Sequence, residues 1–294
     1  MIGRVNMKKL ICLILFIFLL CGCTPSQEFD IVTTTLPVYT FTERLCNGTN
    51  ITVGQLVTEN VSCLHDYTLK VSQMQMLEQA EAVVISGAGL EDFLMDALDN
   101  TSKIIDSSNG MALLEGAHEE HDHHHGHTHE DDPHIWLSPA NAQVMAKNIA
   151  DSLCELYPAC AQTIEANLSA LLADLEALQK YGQETLGELS CRELVTFHDG
   201  FAYLAESFDL TILEAVEEES GSEASAKQLI SLVTLVQKHK LPAIFIEING
   251  SASAAKIIAA ETGISIYTLD MGITGEDYFT VMYHNIDTLR EALR

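Results

Sequence analysis

Cationic residues are scarce in this chain. Lys and Arg number 15 against 42 Asp and Glu, a net charge of −27 at neutral pH. Nucleic-acid phosphates demand cationic surface, so this balance excludes a nucleic-acid partner. It also opposes adsorption to anionic lipid headgroups, so membrane attachment must rest on something other than charge. No Cys-x-x-Cys occurs, which argues against a thiolate zinc site. Neither His-Glu-x-x-His nor Gly-x-Ser-x-Gly is present, which removes two common hydrolase signatures. The apolar run Leu10–Leu20 falls short of the roughly 20 residues of a membrane-spanning helix.

That short run has another meaning. Arg4, Lys8 and Lys9 precede it, giving the charged and apolar regions of a secretory signal. It closes on Leu20-Cys21-Gly22-Cys23, which resembles a bacterial lipobox, with Cys23 as the lipidated residue. Residues 1–22 are therefore expected to be a lipoprotein signal peptide and residues 23–28 a tether. Without the signal the balance is 12 basic to 42 acidic residues, a net charge of −30. The expected location is extracytoplasmic, on the outer face of the cytoplasmic membrane or in a periplasm.

Exported proteins meet conditions that permit disulfides. Beyond Cys23 the cysteines are Cys46, Cys63, Cys154, Cys160 and Cys191. The pairings nearest in sequence are Cys46 with Cys63 and Cys154 with Cys160, which would leave Cys191 free. Buried reduced thiols are the alternative.

What the chain has in abundance is histidine in one place. His118, His121, His123, His124, His125, His127 and His129 crowd a short acidic stretch, and His134 follows Asp132-Pro133. No core could bury a run this polar, so residues 116–131 are expected to be a solvated loop. Imidazole suits zinc, copper, nickel and iron, so metal handling is the first functional expectation.

Around this loop, β-branched and apolar runs alternate with amphipathic stretches. Strands are expected at Asp30–Thr35, Ile51–Val57, Ala82–Ser86 and Ser102–Asp106, then at Leu194–Phe197, Thr211–Ala215, Ala243–Glu247 and Ser265–Leu269. Helices fall between them, and strands alternating with helices point to parallel sheets. Between the two sets, Ile164, Leu168, Leu171, Leu172, Leu175 and Leu178 recur at helical spacing. The predicted architecture is α/β, with two parallel-sheet lobes and a metal site in the cleft between them. The N-terminal lobe spans 29–158, a long connecting helix 159–189, and the C-terminal lobe 190–294.

Three histidines outside the loop, His65, His134 and His198, stand near strand ends or loop junctions, and Asp270 follows the strand Ser265–Leu269. Ligands in parallel α/β folds bind beyond the carboxyl ends of strands. Three imidazoles and a carboxylate would suit four-coordinate zinc. Each also has a plainer role open to it: a histidine near a strand end is more often a hydrogen-bonded structural residue, and Asp270 could cap the turn toward Gly272.

Several segments carry a resemblance: Leu64-His65-Asp66-Tyr67, Gly87-Ala-Gly-Leu-Glu91, Asp132-Pro-His-Ile-Trp-Leu-Ser-Pro139, Thr196-Phe-His-Asp-Gly-Phe-Ala-Tyr203, and Leu269-Asp270 with Gly275-Glu-Asp-Tyr278 and Asn285. In order and over nearly the whole chain, they resemble the zinc- and manganese-binding lipoproteins of metal ABC importers. The resemblance implies His65, His134, His198 and Asp270 as the metal ligands. Histidine rather than carboxylate at 198 favours Zn²⁺ over Mn²⁺, and the His-rich loop would be auxiliary. It further implies a monomeric carrier, not an enzyme, held to the membrane by its lipid and serving an ABC permease and its ATPase. Cys63-Leu64 and Met271 depart from the family, which often has proline at both places. An extracellular zinc buffer or adhesin is the alternative, and a zinc hydrolase is a more distant one.

Overall fold

The computed structural model describes residues 28–59, 61, 64, 67–98, 103–116, 131–216, 224–275 and 277–294. Cys23, Cys63, His65 and the seven loop histidines, with the signal segment, lie outside the described residues.

Two four-stranded parallel sheets organise the chain. The first contains β1 (Ile31–Thr33), β2 (Val53–Gln55), β3 (Ala82–Ile85) and β4 (Lys103–Asp106), in the order β2-β1-β3-β4. The second contains β5 (Glu193–Thr196), β6 (Thr211–Ala215), β7 (Ala243–Glu247) and β8 (Ser265–Leu269), in the order β6-β5-β7-β8. The two lobes thus repeat one topology. The inner strands β1 and β3 are buried throughout, as expected of strands covered on both faces. Strand order reverses between β1 and β3 in one sheet and between β5 and β7 in the other. These reversals open the crevices where α/β proteins bind ligands.

The helices are α1 (Leu36–Cys46), α2 (Val71–Gln79), α3 (Asp92–Leu98), α4 (Pro139–Leu156), α5 (Ala161–Thr185), α6 (Ala202–Ser207), α7 (Ala226–His239), α8 (Ser253–Thr262) and α9 (Tyr278–Leu293). Helix α4 starts where Ser138 accepts a hydrogen bond from the Asn141 amide and Pro139 takes the first helical position. Pro158 then ends the helical run in a 3₁₀ turn, Pro158–Cys160. Helix α5 buries Ile164, Leu171, Leu175, Leu178 and Gly182, one stripe along its length. At Gly182 a Cβ would lie 2.2 Å from the Phe208 ring, so only glycine lets these elements approach so closely.

The expected long helix is present, but it is more than a link. One apolar core runs through both halves of the chain, joining Phe41 and Leu45 of α1, Met145 and Ile149 of α4, Leu171 and Leu175 of α5, and Ile286 and Leu289 of α9. Smaller clusters lie on the outer faces, Val83 with Leu77 and Leu94 in one lobe and Ile244 with Leu232, Val236 and Ile258 in the other. No described helix is long and apolar enough to cross a membrane.

The expected Cys154–Cys160 bridge is absent, and Cys63, the partner expected for Cys46, lies outside the described residues. Cys46, Cys154, Cys160 and Cys191 are free thiols. Sequence proximity was a poor guide because the Cys154 thiol is turned toward the Ala161 carbonyl, 3.9 Å away. Cys46 faces the core at the end of α1, where burial pushes its thiol up to about 12, with Cys160 its leading electrostatic neighbour.

Candidate metal centre

His134 sits where the His-rich segment returns to the fold. An isolated antiparallel bridge, Glu115 with Asp131, closes the base of that segment, and the Asp132 amide donates to the Leu114 carbonyl at 2.8 Å. Tyr203 on α6 clamps both sides: its hydroxyl accepts from the Leu114 amide (2.9 Å) and donates to the Asp132 carbonyl (3.2 Å). Asp132 then turns back on its neighbour. Its Oδ1 accepts from the His134 amide at 2.9 Å and lies 2.8 Å from His134 Nδ1, with both side chains buried. A proton held on Nδ1 by this carboxylate leaves Nε2 as the lone-pair nitrogen, the tautomer a metal ligand needs.

His198 follows β5 by two residues and meets His134 edge-to-face, ring centroids 5.5 Å apart at 86°. Its Nδ1 lies 3.8 Å from Oε2 of Glu247, the last residue of β7. His198 and Glu247 therefore mark the ends of adjacent strands, at the reversal of the second sheet. Two imidazoles meet here, and each has its own buried carboxylate.

Asp270 directly follows β8. Asn285, fully buried on α9, holds its backbone from both sides, accepting from the Asp270 amide (2.9 Å) and donating to its carbonyl (2.7 Å). Its Oδ1 accepts from the Gly272 amide at 2.8 Å, so the turn-capping role is realised. Asp270 and Glu247 line one cleft of about 200 Å³, together with Val61 from the first lobe and Met271, Ile273 and Thr274. Trp136 ties this segment to His134. Its indole N–H donates to the Met271 carbonyl at 2.7 Å, and the Tyr278 hydroxyl donates to the Trp136 carbonyl at 2.8 Å.

The fold thus brings His134 and His198 together and sets Asp270 in the cleft that adjoins them through Glu247. Among the described residues, no three His, Cys, Asp or Glu side chains lie close enough to hold an ion. His65 is outside the described residues, although Val61 lines the cleft and Leu64 is buried in the shared core. His239 pairs with Glu193 at 2.9 Å, at the opposite end of β5 from His198.

Residues 31–292 match the family model for zinc-uptake complex component A, periplasmic. The chain belongs to this family. It is 33% identical over 308 residues to the zinc-binding lipoprotein AdcA of Streptococcus pneumoniae serotype 4, covering 97% of this chain and 61% of that protein. This chain therefore spans less than two thirds of that relative's length. A crystal structure of ZnuA superposes with a TM-score of 0.81 at 31% identity, over 91% of this chain and all of that one. The Zn(II)-bound ZnuA-like domain of Streptococcus pneumoniae AdcA matches with a TM-score of 0.75 at 30% identity, over 91% and 99% of the two chains.

Two contributors to this centre were not singled out as site residues in the sequence. Asp132 was visible only as part of its motif, although an acid two residues before a ligating histidine is well placed to hold Nδ1. Glu247 continues the inward face of β7, which Ala243 and Phe245 also occupy, and that two-residue period was the signal for it.

Proposed function

We propose that this chain captures Zn²⁺ outside the cytoplasm and delivers it to the permease of an ABC importer. The observation that carries the reading is the buried imidazole pair, His134 and His198, each backed by a carboxylate and set beside the cleft lined by Asp270. Zinc here is cargo. His134 and His198 would supply nitrogen, Asp270 oxygen, and His65 the fourth position, a donor set that fits tetrahedral zinc better than a six-oxygen manganese shell. Asp132 would orient the His134 ring through Nδ1 so that Nε2 faces the ion, and Glu247 would place a negative charge behind the His198 ring. Because the ligands bind in their deprotonated forms, acid should release the ion.

The acidic surface supports the same reading, since a negative field concentrates cations near the cleft. The seven histidines of residues 116–131 would gather several ions weakly and feed the cleft, and Cys23 would carry the lipid that keeps the carrier at the membrane. Binding, transfer and release suffice for this role, and no bond is made or broken.

Calorimetric titration of zinc into the wild type, a His134→Ala variant and a variant lacking residues 117–130 tests the proposal. One tight site should vanish in His134→Ala and survive the deletion, which should remove only weaker binding. Loss of the tight site on deletion would transfer the primary site to the loop and refute the ligand assignment.

A further inference from the structure

One position near the centre is occupied by no side chain at all. A Cβ built on Gly200 would lie 2.5 Å from Met271 Cε, 2.9 Å from His134 Cε1 and 2.9 Å from His198 Cδ2. The methyl of Met271 and the edges of both imidazoles therefore converge on the space that a glycine leaves free. Met271, His134 and His198 are all nearly inaccessible to solvent, at 4%, 5% and 4% exposure. Trp136, packed edge-on against His134 at 5.4 Å, is fully buried on the same side. The Met271 backbone is fixed as well, by the bond from Trp136 to its carbonyl.

We propose that Met271 is a specificity-determining residue, an apolar wall that keeps water from the ion and limits it to the protein's own ligands. The inference rests on the zinc-site reading given above. Its chemistry is coordination number. Zinc is satisfied by four ligands in a tetrahedron. Manganese and magnesium take octahedral oxygen shells and retain water to complete them. A thioether methyl that converges with the two imidazole edges on the Gly200 space would occupy volume that such waters need. Gly200 is its necessary counterpart, because any side chain there would displace the methyl, the rings or both. The residue after Asp270 thus tunes the metal without ligating it.

Met271→Ala removes three heavy atoms, roughly 70 Å³, against a liquid share of about 30 Å³ per water, so about two waters could enter. Two measurements on the full-length protein test the consequence: separate zinc and manganese titrations, and the visible spectrum of the Co²⁺-loaded form, which is intense for four-coordinate and weak for six-coordinate cobalt. In Met271→Ala the preference for zinc over manganese should narrow by about tenfold or more, and the cobalt bands should weaken. Met271→Leu refills the volume without sulfur and should restore both readouts toward the wild type. An alanine variant that keeps the wild-type preference and intense bands would overturn the proposal. So would a leucine variant that behaves like alanine, since sulfur donation rather than volume would then be acting. Failure of the wild type to bind zinc tightly would instead refute the underlying site reading.

Discussion

Replacing Trp136 by phenylalanine should weaken the fold and the metal site together. The indole is fully buried, and its N–H donates at 2.7 Å to the carbonyl of Met271, next to Asp270 in sequence. Phenylalanine leaves that carbonyl without its partner, at about 1–3 kcal/mol. The smaller ring also leaves a void, since Trp→Ala in a core costs about 3–5 kcal/mol and the phenyl group recovers most of that volume. The sum is about 2–4 kcal/mol. In a chain of this size each kcal/mol lowers Tm by roughly 2–4 °C, so the melting temperature should drop by roughly 4–16 °C. Zinc affinity should fall at the same time, because Trp136 fixes the distance between the segments carrying His134 and Asp270. A tenfold loss, about 1.4 kcal/mol, is the expected scale. Differential scanning calorimetry of the metal-free protein and isothermal titration with zinc read the two effects separately. A variant that melts within 2 °C of the wild type and binds zinc equally well would refute the strut. A variant that is destabilised but binds normally would show that the strut supports the fold alone.

Asp132→Asn retains an acceptor for the His134 amide but removes the charge facing Nδ1. Zinc affinity should fall roughly 10–100-fold, as is usual when the outer partner of a metal-bound imidazole is lost; unchanged affinity in calorimetry would reduce Asp132 to a backbone cap. Glu91 gives a stability prediction. It is completely buried, and burial pushes its carboxyl up to about 7 although Thr34, Gly87 and Ser86 donate to it. Between about pH 4.3, where the unfolded chain releases this proton, and pH 7, the folded state binds more protons than the unfolded state. Stability contributed by Glu91 is therefore complete below that window and lost as pH rises through it, on the order of 4 kcal/mol in all. Glu91→Gln should remove this dependence, so urea midpoints of wild type and variant, measured from pH 4 to 8, should converge or cross. A constant difference would show that the carboxyl ionises in the folded protein as it does in the unfolded chain.

The elements most legible in the sequence were those with sharp punctuation. β7 follows Pro242, and β8 lies between Gly263 and the turn at Gly272; both were bounded correctly, because continuous apolar runs between such residues leave little choice of register. The last helix was less clear. Its cap is Asp277, accepting from the Thr280 amide at 2.8 Å, one acidic residue among many and not marked by the residues around it. The helix α5 was visible through its leucine spacing, whereas its embedding in a core common to both lobes was not, since periodicity shows that a face is buried and not what buries it. The pairing of Cys154 with Cys160 failed for a related reason: which thiols face one another is decided by helix packing, and separation along the chain carries no information about it. At the metal centre, histidines stood out by residue type. The carboxylates behind them did not, in a chain with 42 acidic residues, until the fold placed Asp132 and Glu247 against the rings.

The undivided core limits how a metal-loaded form of the proposed carrier can differ from an empty one. Swinging the lobes apart as separate bodies would expose residues such as Leu171, Leu175 and Ile286, at about 1.5–3 kcal/mol each. A large hinge motion would therefore consume the energy gained from the ion. On the carrier reading proposed above, the difference between loaded and empty forms would be written locally, in the placement of the segments that rim the cleft, and a permease that discriminates the two would read those segments rather than the angle between the lobes.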